Sequence, residues 1–235
     1  MEESLEQIYR AIQQRIQAAC DGAGRDAADV LLLAVSKHQT LKSIRALYDF
    51  GHRDFGESRV QELLKKRDAL PEDIRWHLIG HLQSNKARQI APFIYSIHSN
   101  DSFETAIELS KRAAENSRTI RVLIEVNISG EAQKDGIQPS EAEKLVIEIA
   151  EKCPNLIVSG LMGMASFEED IEKTRPQFRK LRELLIEIQE RQPHLKGFTE
   201  LSMGMSNDFA VAIEEGATIV RIGSALFSSA SDGDV

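Results

Sequence analysis

The stretch VLLLAVSKHQTLKSIRALYDFG, residues 30–51, contains one strand followed by one helix and decides the fold. Its first part, 30–37, is an apolar run of the length of a buried strand, and it ends at Lys37. The second part carries apolar residues at helical spacing from about Leu41 to Tyr48 and stops at Gly51. A strand followed directly by a helix is the repeating unit of an α/β protein with a parallel sheet.

The same unit recurs along the rest of the chain, and a further helix is predicted ahead of it over residues 3–20. The other strand candidates are RDFG (53–56), WHLIG (76–80), YSIHS (95–99), IRVLIEVNI (120–128), LIVSGLMGM (156–164), TELSM (199–203) and TIVRIGS (218–224). Eight strands alternating with helices in about 200 to 250 residues predict a closed (β/α)8 TIM barrel. An open doubly wound sheet is the alternative, which the absence of a glycine-rich dinucleotide fingerprint after the first strand disfavours. We therefore expect an α/β protein with one barrel domain over residues 1–228, and a disordered tail over 229–235.

Composition limits the classes of partner. The formal charge of −8 and the pI near 5.4 disfavour binding to nucleic acid, which requires clustered basic residues. Cys20 and Cys153 form no CxxC pair, so no disulfide framework or structural zinc site is indicated, and the chain suits a reducing cytoplasm. No apolar run approaches the roughly 20 residues that span a bilayer. We expect a cytoplasmic monomer that binds neither nucleic acid nor membrane.

Lys37 is the first candidate functional residue. Active sites of TIM barrels lie at the carboxyl ends of the strands, and Lys37 ends the first strand candidate. A lysine there either lays its stem along apolar surface or forms a Schiff base with a carbonyl compound. Both interpretations are open at this point.

A phosphate site is predicted opposite Lys37, in the loops after the seventh and eighth strands. These loops read LSMGMSND (201–208) and RIGS (221–224), and Ser206, Asn207 or Asp208 is expected to cap the helix that follows. Hydroxyls and glycine amides suit a phosphate dianion. The residues that offer them are Ser202, Gly204, Gly223 and Ser224.

Arg221 helps to choose between the compounds that Lys37 and a phosphate site could hold. Strand alternation places its side chain on the same face as Gly223, inside the barrel. An inward arginine needs a partner, which is either the pyridine nitrogen of pyridoxal 5'-phosphate or a carboxylate such as Glu125. The first partner favours a pyridoxal phosphate protein. A Schiff-base aldolase acting on a sugar phosphate remains the alternative.

Six segments of the chain carry a resemblance to a known family. They are AVSK (34–37), FGES (55–58), WHLIGHLQSNK (76–86), SIHSND (96–101), ELSMGMSNDF (200–209) and VRIGSALF (220–227). Together they resemble the pyridoxal phosphate homeostasis protein family, and the last one is also similar to the end of the alanine racemase barrel. The resemblance implies an alanine-racemase-like barrel that binds pyridoxal 5'-phosphate (PLP). It also implies a cofactor carrier without established catalytic turnover, with PLP-dependent apoenzymes as possible recipients.

The resemblance also implies roles for particular residues. Lys37 corresponds to the Schiff-base lysine, and Arg221 lies near the pyridine nitrogen. Around the phosphate it places Ser202, Gly223 and Ser224, with Met203 in the same loop. The family commonly has asparagine where this chain has Ser58, which is expected to reach the cofactor through a shorter hydrogen bond.

The histidines of WHLIGH need a separate interpretation. On a helix, the spacing of His77 and His81 could hold zinc, but Gly80, the strand-like pattern and the missing glutamate of HExxH argue against a metal site. His81 is instead predicted to face the cofactor ring from the end of the third strand. A further histidine, His38, follows Lys37 in the sequence, and strand alternation predicts that its side chain points to the opposite face.

The sequence leaves catalysis open. A racemase needs acid and base groups on opposite faces of its substrate, and alanine racemases supply one of them from a second domain that this chain is not expected to contain. Lys37 could act as one base, and no second base is strongly placed. A cofactor carrier is the first hypothesis, a racemase-like PLP enzyme the second and a Schiff-base aldolase the third.

Overall fold

The computed structural model describes residues 4–131 and 133–228 and contains a closed barrel of eight parallel strands. Its strands are β1 (Leu31–Val35), β2 (Asp54–Glu57), β3 (Arg75–Leu78), β4 (Ser96–Asn100), β5 (Ile120–Val126), β6 (Leu156–Gly163), β7 (Glu200–Ser202) and β8 (Ile219–Ile222). Each strand pairs with the next, and β8 pairs with β1 from Leu31 opposite Ile219 to Ala34 opposite Ile222. The predicted TIM barrel is confirmed. The predicted tail, 229–235, lies outside the described residues.

Eight α-helices surround the strands in the described part of the chain. They are α1 (Leu5–Gly22), α2 (Leu41–Asp49), α3 (Val60–Ala69), α4 (Ala87–Ile90), α5 (Phe103–Glu115), α6 (Pro139–Lys152), α7 (Arg175–Arg191) and α8 (Phe209–Glu214). The predicted N-terminal helix, α1, begins at a capping box between Ser4 and Gln7. It packs against both α8 and α2. It therefore completes the outer ring at the position between the last and the first barrel unit. None of the helices that the structure describes is long and apolar enough to cross a membrane.

The first strand is shorter than its apolar run predicts. It ends at Val35, and Ser36 accepts a hydrogen bond from the amide of Gln39 at 3.0 Å, which makes a turn of Lys37 and His38. His38 has a φ of 64°. Strand alternation therefore does not apply to the side chains of Lys37 and His38, because neither residue is in the strand.

The two faces of the barrel wall differ in chemistry. Alternate strand residues such as Leu32, Ala34 and Val220 belong to a hydrophobic core between the strands and the helices. The other alternate residues face the barrel interior, and many of them are polar and buried. These interior residues include Asp54, His77, His98, Glu125, Ser202 and Arg221. The interior thus carries a buried polar cluster that needs internal hydrogen-bond partners.

Candidate functional site

A cavity of about 650 Å³ opens at the carboxyl-terminal end of the barrel, where functional sites of this fold lie. The loops after β1, β2, β3, β5, β6, β7 and β8 contribute to its wall. The structure brings five of the predicted site residues into this wall. They are Lys37, Ser58, Arg221, Gly223 and Ser224.

Lys37 projects from the turn after β1, and its side chain is exposed at the cavity. The residue before it is fixed by a buried ion pair. Lys66 donates to the carbonyl oxygen of Ser36 and to Glu57, both at 2.7 Å, and the Ser36 hydroxyl donates to Glu57 at 2.6 Å. Among the described residues, none pairs with the Lys37 amine. The amine therefore remains available to a ligand while its backbone is held in place.

Arg221 lies buried in β8 at the floor of the cavity. Its Nη1 donates to the carbonyl oxygen and the hydroxyl of Ser202, at 2.6 and 2.8 Å, and its Nη2 donates to the Gly163 carbonyl at 3.1 Å. These three bonds leave two of the five guanidinium hydrogens without an acceptor among the described residues. Burial lowers the pKa of Arg221 to about 10, so the side chain is still a cation at neutral pH.

The alternative partner considered for Arg221, an ion pair with Glu125, is not formed in the described part of the chain, because the contacts of Arg221 are neutral oxygens. Glu125 is buried in β5 and acts on the guanidinium only at longer range. Burial, followed by repulsion from Asp135 and Asp101, raises the pKa of Glu125 to about 7. The sequence indicates Glu125 only as an ion-pair partner, and no feature of the sequence predicts a carboxyl with a pKa near 7.

Ser202 and Met203 are buried and are not among the described residues that line the cavity. The Ser202 hydroxyl contacts Arg221 and His98, and Met203 packs in the hydrophobic core. Met205 and Ser206 of the same loop line the cavity instead. The predicted cofactor contacts of Ser202 and Met203 therefore stay predictions, and the geometry gives Ser202 a supporting contact with Arg221.

The loops after β7 and β8 meet in one wall of the cavity. The amides of Leu226 and Phe227 donate to the carbonyl of Gly223 at 3.0 Å, so residues 223–227 form one helical turn. The Ser206 hydroxyl accepts from the amide of Ala225 at 3.3 Å and ties the two loops together. A Cβ at Gly223 would lie 3.2 Å from the carbonyl oxygen of Val35, so a side chain would crowd the packing of this turn against β1.

The cap of α8 differs in part from the prediction. Asp208 is the residue before the helix, as one of the three proposed candidates. Its carboxylate accepts from the amide of Met205 at 2.6 Å and makes no side-chain hydrogen bond to the helix. Asp208 therefore closes the loop that carries Ser206 into the cavity wall, together with Gly204, whose φ is 89°.

Ser58 and His81 are placed differently with respect to the cavity. Ser58 is partly buried in the wall, beside Gly80, where a Cβ would come within 2.3 Å of the Ser58 carbonyl. His81 is exposed, pairs with Asp101 at 3.4 Å and lines a different cavity of about 610 Å³. The sequence placed His81 at a strand end, but β3 stops at Leu78. The predicted contact of His81 with the cofactor ring has no support from this geometry and stays a prediction.

His77 and His81 do not converge on a common site. His77 is buried inside the barrel, whereas His81 lies in the exposed loop beyond β3. Over residues 4–131 and 133–228, no group of three His, Cys, Asp or Glu side chains is arranged to hold a metal ion.

Several cavity residues had no sequence signal. Lys134 and Asp135 come from the loop after β5, and Met164 and Phe167 come from the loop after β6. These loops contain no motif with a recognised chemistry. Lys134 already pairs with Glu131 at 2.7 Å and donates to the carbonyl of Ala165 at 3.3 Å. Lys37 is thus the cavity lysine whose amine has no partner among the described residues.

Comparison with known proteins gives consistent matches over nearly the whole chain. Residues 9–231 match the family described as alanine racemase, N-terminal domain. The chain is 46% identical over 223 residues to the pyridoxal phosphate homeostasis protein of Aquifex aeolicus, covering 94% of this chain and 96% of that protein.

Two solved structures are similar along most of both chains. An unknown protein from Bifidobacterium adolescentis is 36% identical, with a TM-score of 0.88 and coverage of 95% of this chain and 94% of that chain. PipY of Synechococcus elongatus, with PLP bound, is 34% identical, with a TM-score of 0.78 and coverage of 92% and 99%.

Proposed function

Because this chain belongs to the pyridoxal phosphate homeostasis protein family, we propose that it binds PLP in the cavity at the carboxyl-terminal end of the barrel, as a Schiff base of Lys37. One observation carries the proposal. The Lys37 amine and two donors of the buried Arg221 guanidinium have no partner among the described residues, and both side chains belong to the wall of the same cavity. A ligand with a carbonyl group and a ring acceptor can use both.

The residues present fit the parts of this cofactor. Lys37 would hold the aldehyde carbon and Arg221 the ring nitrogen. The phosphate would lie against the turn at 223–227, with the hydroxyls of Ser206 and Ser224. Gly223 supports this fit, because it lines the cavity without a side chain and an added Cβ would lie 3.2 Å from the carbonyl oxygen of Val35.

The environment of Arg221 is better suited to binding PLP than to using it for catalysis. PLP supplies an aldehyde that condenses with amines and a ring that can act as an electron sink. A cation at the ring nitrogen disfavours protonation of that nitrogen and so weakens the sink. Arg221 is a buried cation, and its hydrogens that remain uncommitted within the described structure can only donate. The second hypothesis, a racemase-like enzyme, would have to work against this effect.

Access to the cavity supports the proposed carrier role. Lys37 is exposed, and Phe167, at the rim, has 85% of its surface exposed. An incoming amine can therefore approach the imine and release the cofactor. We propose a cytoplasmic carrier that acts as a monomer through one domain over residues 1–228 and supplies PLP to apoenzymes.

Release and turnover can be separated in one experiment. The PLP-loaded protein is mixed with an excess of L-alanine, and free cofactor and the D-alanine content are followed together. A carrier releases PLP to the amino acid and leaves its configuration unchanged. Accumulation of D-alanine at a rate that depends on the protein would contradict the carrier role and support the racemase-like enzyme.

A further inference from the structure

A continuous chain of four hydrogen bonds crosses the barrel interior away from the cofactor cavity. It begins at Arg221 Nη1, which is 2.8 Å from Ser202 Oγ, and continues over 2.9 Å to His98 Nδ1. His98 Nε2 is 3.0 Å from His77 Nδ1, and His77 Nε2 is 3.1 Å from Asp54 Oδ1. All five side chains are buried. Ser202 and His98, in the middle of the chain, line neither of the two cavities at its ends, so water cannot easily replace the partners there and each link depends on the next.

The direction of the chain follows from its two ends. Arginine only donates, so Ser202 Oγ accepts from Arg221, and a carboxylate only accepts, so His77 Nε2 donates to Asp54 and leaves His77 Nδ1 as the acceptor for His98. The Ser202 hydroxyl hydrogen is then left for His98 Nδ1. Burial, followed by repulsion from His77 and Arg221, lowers the pKa of His98 well below its ordinary value, so this ring is neutral. Its hydrogen is then on Nε2 and points to His77 Nδ1. His77 in turn donates from Nε2 to the carboxylate of Asp54.

The far end of the chain is an ion pair at a second cavity. Asp54, His77 and Arg75 line a cavity of about 990 Å³ at the amino-terminal end of the barrel. Burial would raise the pKa of Asp54, but hydrogen bonds from Arg75 and His77 outweigh it and hold the pKa well below its ordinary value. Arg75 Nε donates to Asp54 at 2.7 Å, and the Arg75 side chain is 47% exposed. The chain thus ends on a fixed negative charge that lies near solvent.

We propose that Ser202, His98, His77 and Asp54 are positioning residues that orient the Arg221 guanidinium toward the cofactor ring and link its electrostatic environment to the amino-terminal ion pair. Arg221 is buried, and no carboxylate among the described residues contacts it. The carboxylate of Asp54 polarises the two imidazoles and makes Ser202 Oγ a stronger acceptor for Arg221. This inference rests on the proposed binding of PLP, in which Arg221 faces the ring nitrogen.

The first test needs no cofactor. Long-range 15N–1H NMR of the cofactor-free protein reports which nitrogen of each imidazole carries the hydrogen. Both His77 and His98 are expected as Nε2–H tautomers at neutral pH. Ser202→Ala removes the hydroxyl that fixes His98 and is expected to shift its Nδ1 signal. An Nδ1–H tautomer at either histidine in the wild type would contradict the direction assigned to these hydrogen bonds and overturn the inference.

The second test measures the influence of Asp54 on the bound cofactor. Asp54→Asn keeps the shape of the side chain and removes its charge at the end of the barrel opposite Lys37. We expect the absorption maximum of bound PLP to shift and its release to accelerate roughly five- to tenfold, at the lower end of coupling between distant sites. His52→Asn is the matched control, because His52 is also buried at this end but bonds to the Asp54 carbonyl, at 2.8 Å, and to Tyr9.

The outcomes separate this inference from the proposed function. Equal spectra and release rates for Asp54→Asn and wild type would overturn the positioning role. So would an equal effect of His52→Asn, because that would indicate a general loss of structure. If Asp54→Asn fails to fold, Ser202→Ala provides the same comparison from the near end of the chain. If wild-type protein binds no PLP, the proposed function fails, and the histidine tautomers alone decide whether the hydrogen bonds from Ser202 to Asp54 are present.

Discussion

At the scale of single residues, the buried ion pair of Glu57 and Lys66 holds the backbone at Ser36 and so positions Lys37. Lys66 bonds both to Glu57 and to the carbonyl of Ser36, the residue before Lys37. Glu57 is fully buried, and one of its oxygens, Oε2, has no hydrogen-bond partner among the described residues. Charges in such surroundings are costly unless they are paired. The pair therefore connects the stability of the fold to the position of Lys37, the lysine proposed to bind the cofactor.

Removing only the cation of this pair should be strongly destabilising. Lys66→Met leaves the Glu57 carboxylate buried without a counter-charge, and we expect a loss of about 3–5 kcal/mol in the free energy of unfolding. The double variant Glu57→Gln, Lys66→Met should recover much of this loss, because no unpaired charge remains. Urea denaturation of the two single variants and the double variant measures the coupling. Additive losses would show that the two side chains do not interact.

Glu125 should make stability depend on pH. Its pKa rises from an ordinary value near 4.5 to about 7 on folding, mainly through burial. The folded protein then binds more protons than the unfolded chain between these values, so stability falls as the pH rises through this window. A shift of this size corresponds to about 3 kcal/mol.

Glu125→Gln should remove this pH dependence. The variant is expected to gain up to about 3 kcal/mol relative to wild type between about pH 4.5 and about pH 8, in urea denaturation. Glu187→Gln is the control, because Glu187 is exposed and its change should leave the wild-type profile intact. Parallel profiles for Glu125→Gln and wild type would contradict the raised pKa.

At the scale of elements, the loop between β7 and α8 brings Ser206 to the cavity. Gly204 has a φ of 89°, and its carbonyl accepts from the amide of Arg221 at 3.0 Å. A Cβ at this position would lie 2.5 Å from the Cβ of Ala212 and 3.0 Å from the Cα of Phe209. The loop can therefore hold its path only with glycine here.

Gly204→Ala should disturb both the loop and the site. We expect a loss of about 2–4 kcal/mol in stability from backbone strain and overpacking, together with weaker retention of PLP. Gly130→Ala is the matched control, since Gly130 also has a positive φ, 76°, but no atom of the described residues beyond its chain neighbours lies within 4 Å of the added carbon. Its cost should be only about 1–2 kcal/mol. Equal losses in the two variants would show that packing against α8 is unimportant.

The elements themselves were predictable, but several of their ends were not. Apolar runs and helical spacing identified most of the strands, because each strand buries one face against a helix, whereas the short and polar β2 was predicted from its place in the repeating unit. The sequence extends β1 and β3 beyond the residues at which they end, Val35 and Leu78. A strand ends where its pairing with the neighbouring strand ends and a turn begins, and apolar residues can continue beyond that point. That difference moved Lys37 into a turn and His81 away from the cavity.

At the scale of the whole molecule, binding of PLP should stabilise the fold. A ligand that binds only the folded state adds about 2.7 kcal/mol at a concentration 100 times its dissociation constant. Thermal unfolding with increasing PLP should therefore shift to higher temperature. Pyridoxal, which lacks the phosphate, should give a smaller shift at the same concentration. An equal shift would mean that the wall formed by Ser206 and the turn at 223–227 contributes nothing.

The global fold could be read from the sequence, whereas the hydrogen-bonded chain inside the barrel could not. The fold repeats one local unit eight times, and each unit is visible by itself. Asp54, His77, His98, Ser202 and Arg221 come from five different strands, and their contact depends on the register around the closed barrel. No local pattern reports that register. The phosphate contact of Ser202 stays a prediction, and its contact with Arg221 had no signal in the sequence.

The measurement that tests the central claim most directly is the absorption spectrum of the purified protein with added PLP, before and after borohydride reduction. Wild type should show a long-wavelength imine band, and reduction should fix the cofactor on Lys37, as mass spectrometry of peptides can verify. Lys37→Ala should lose both signals, while Lys134→Ala, which changes the other lysine of the cavity, should keep them. Identical spectra for wild type and Lys37→Ala, or cofactor fixed on Lys134, would contradict the account.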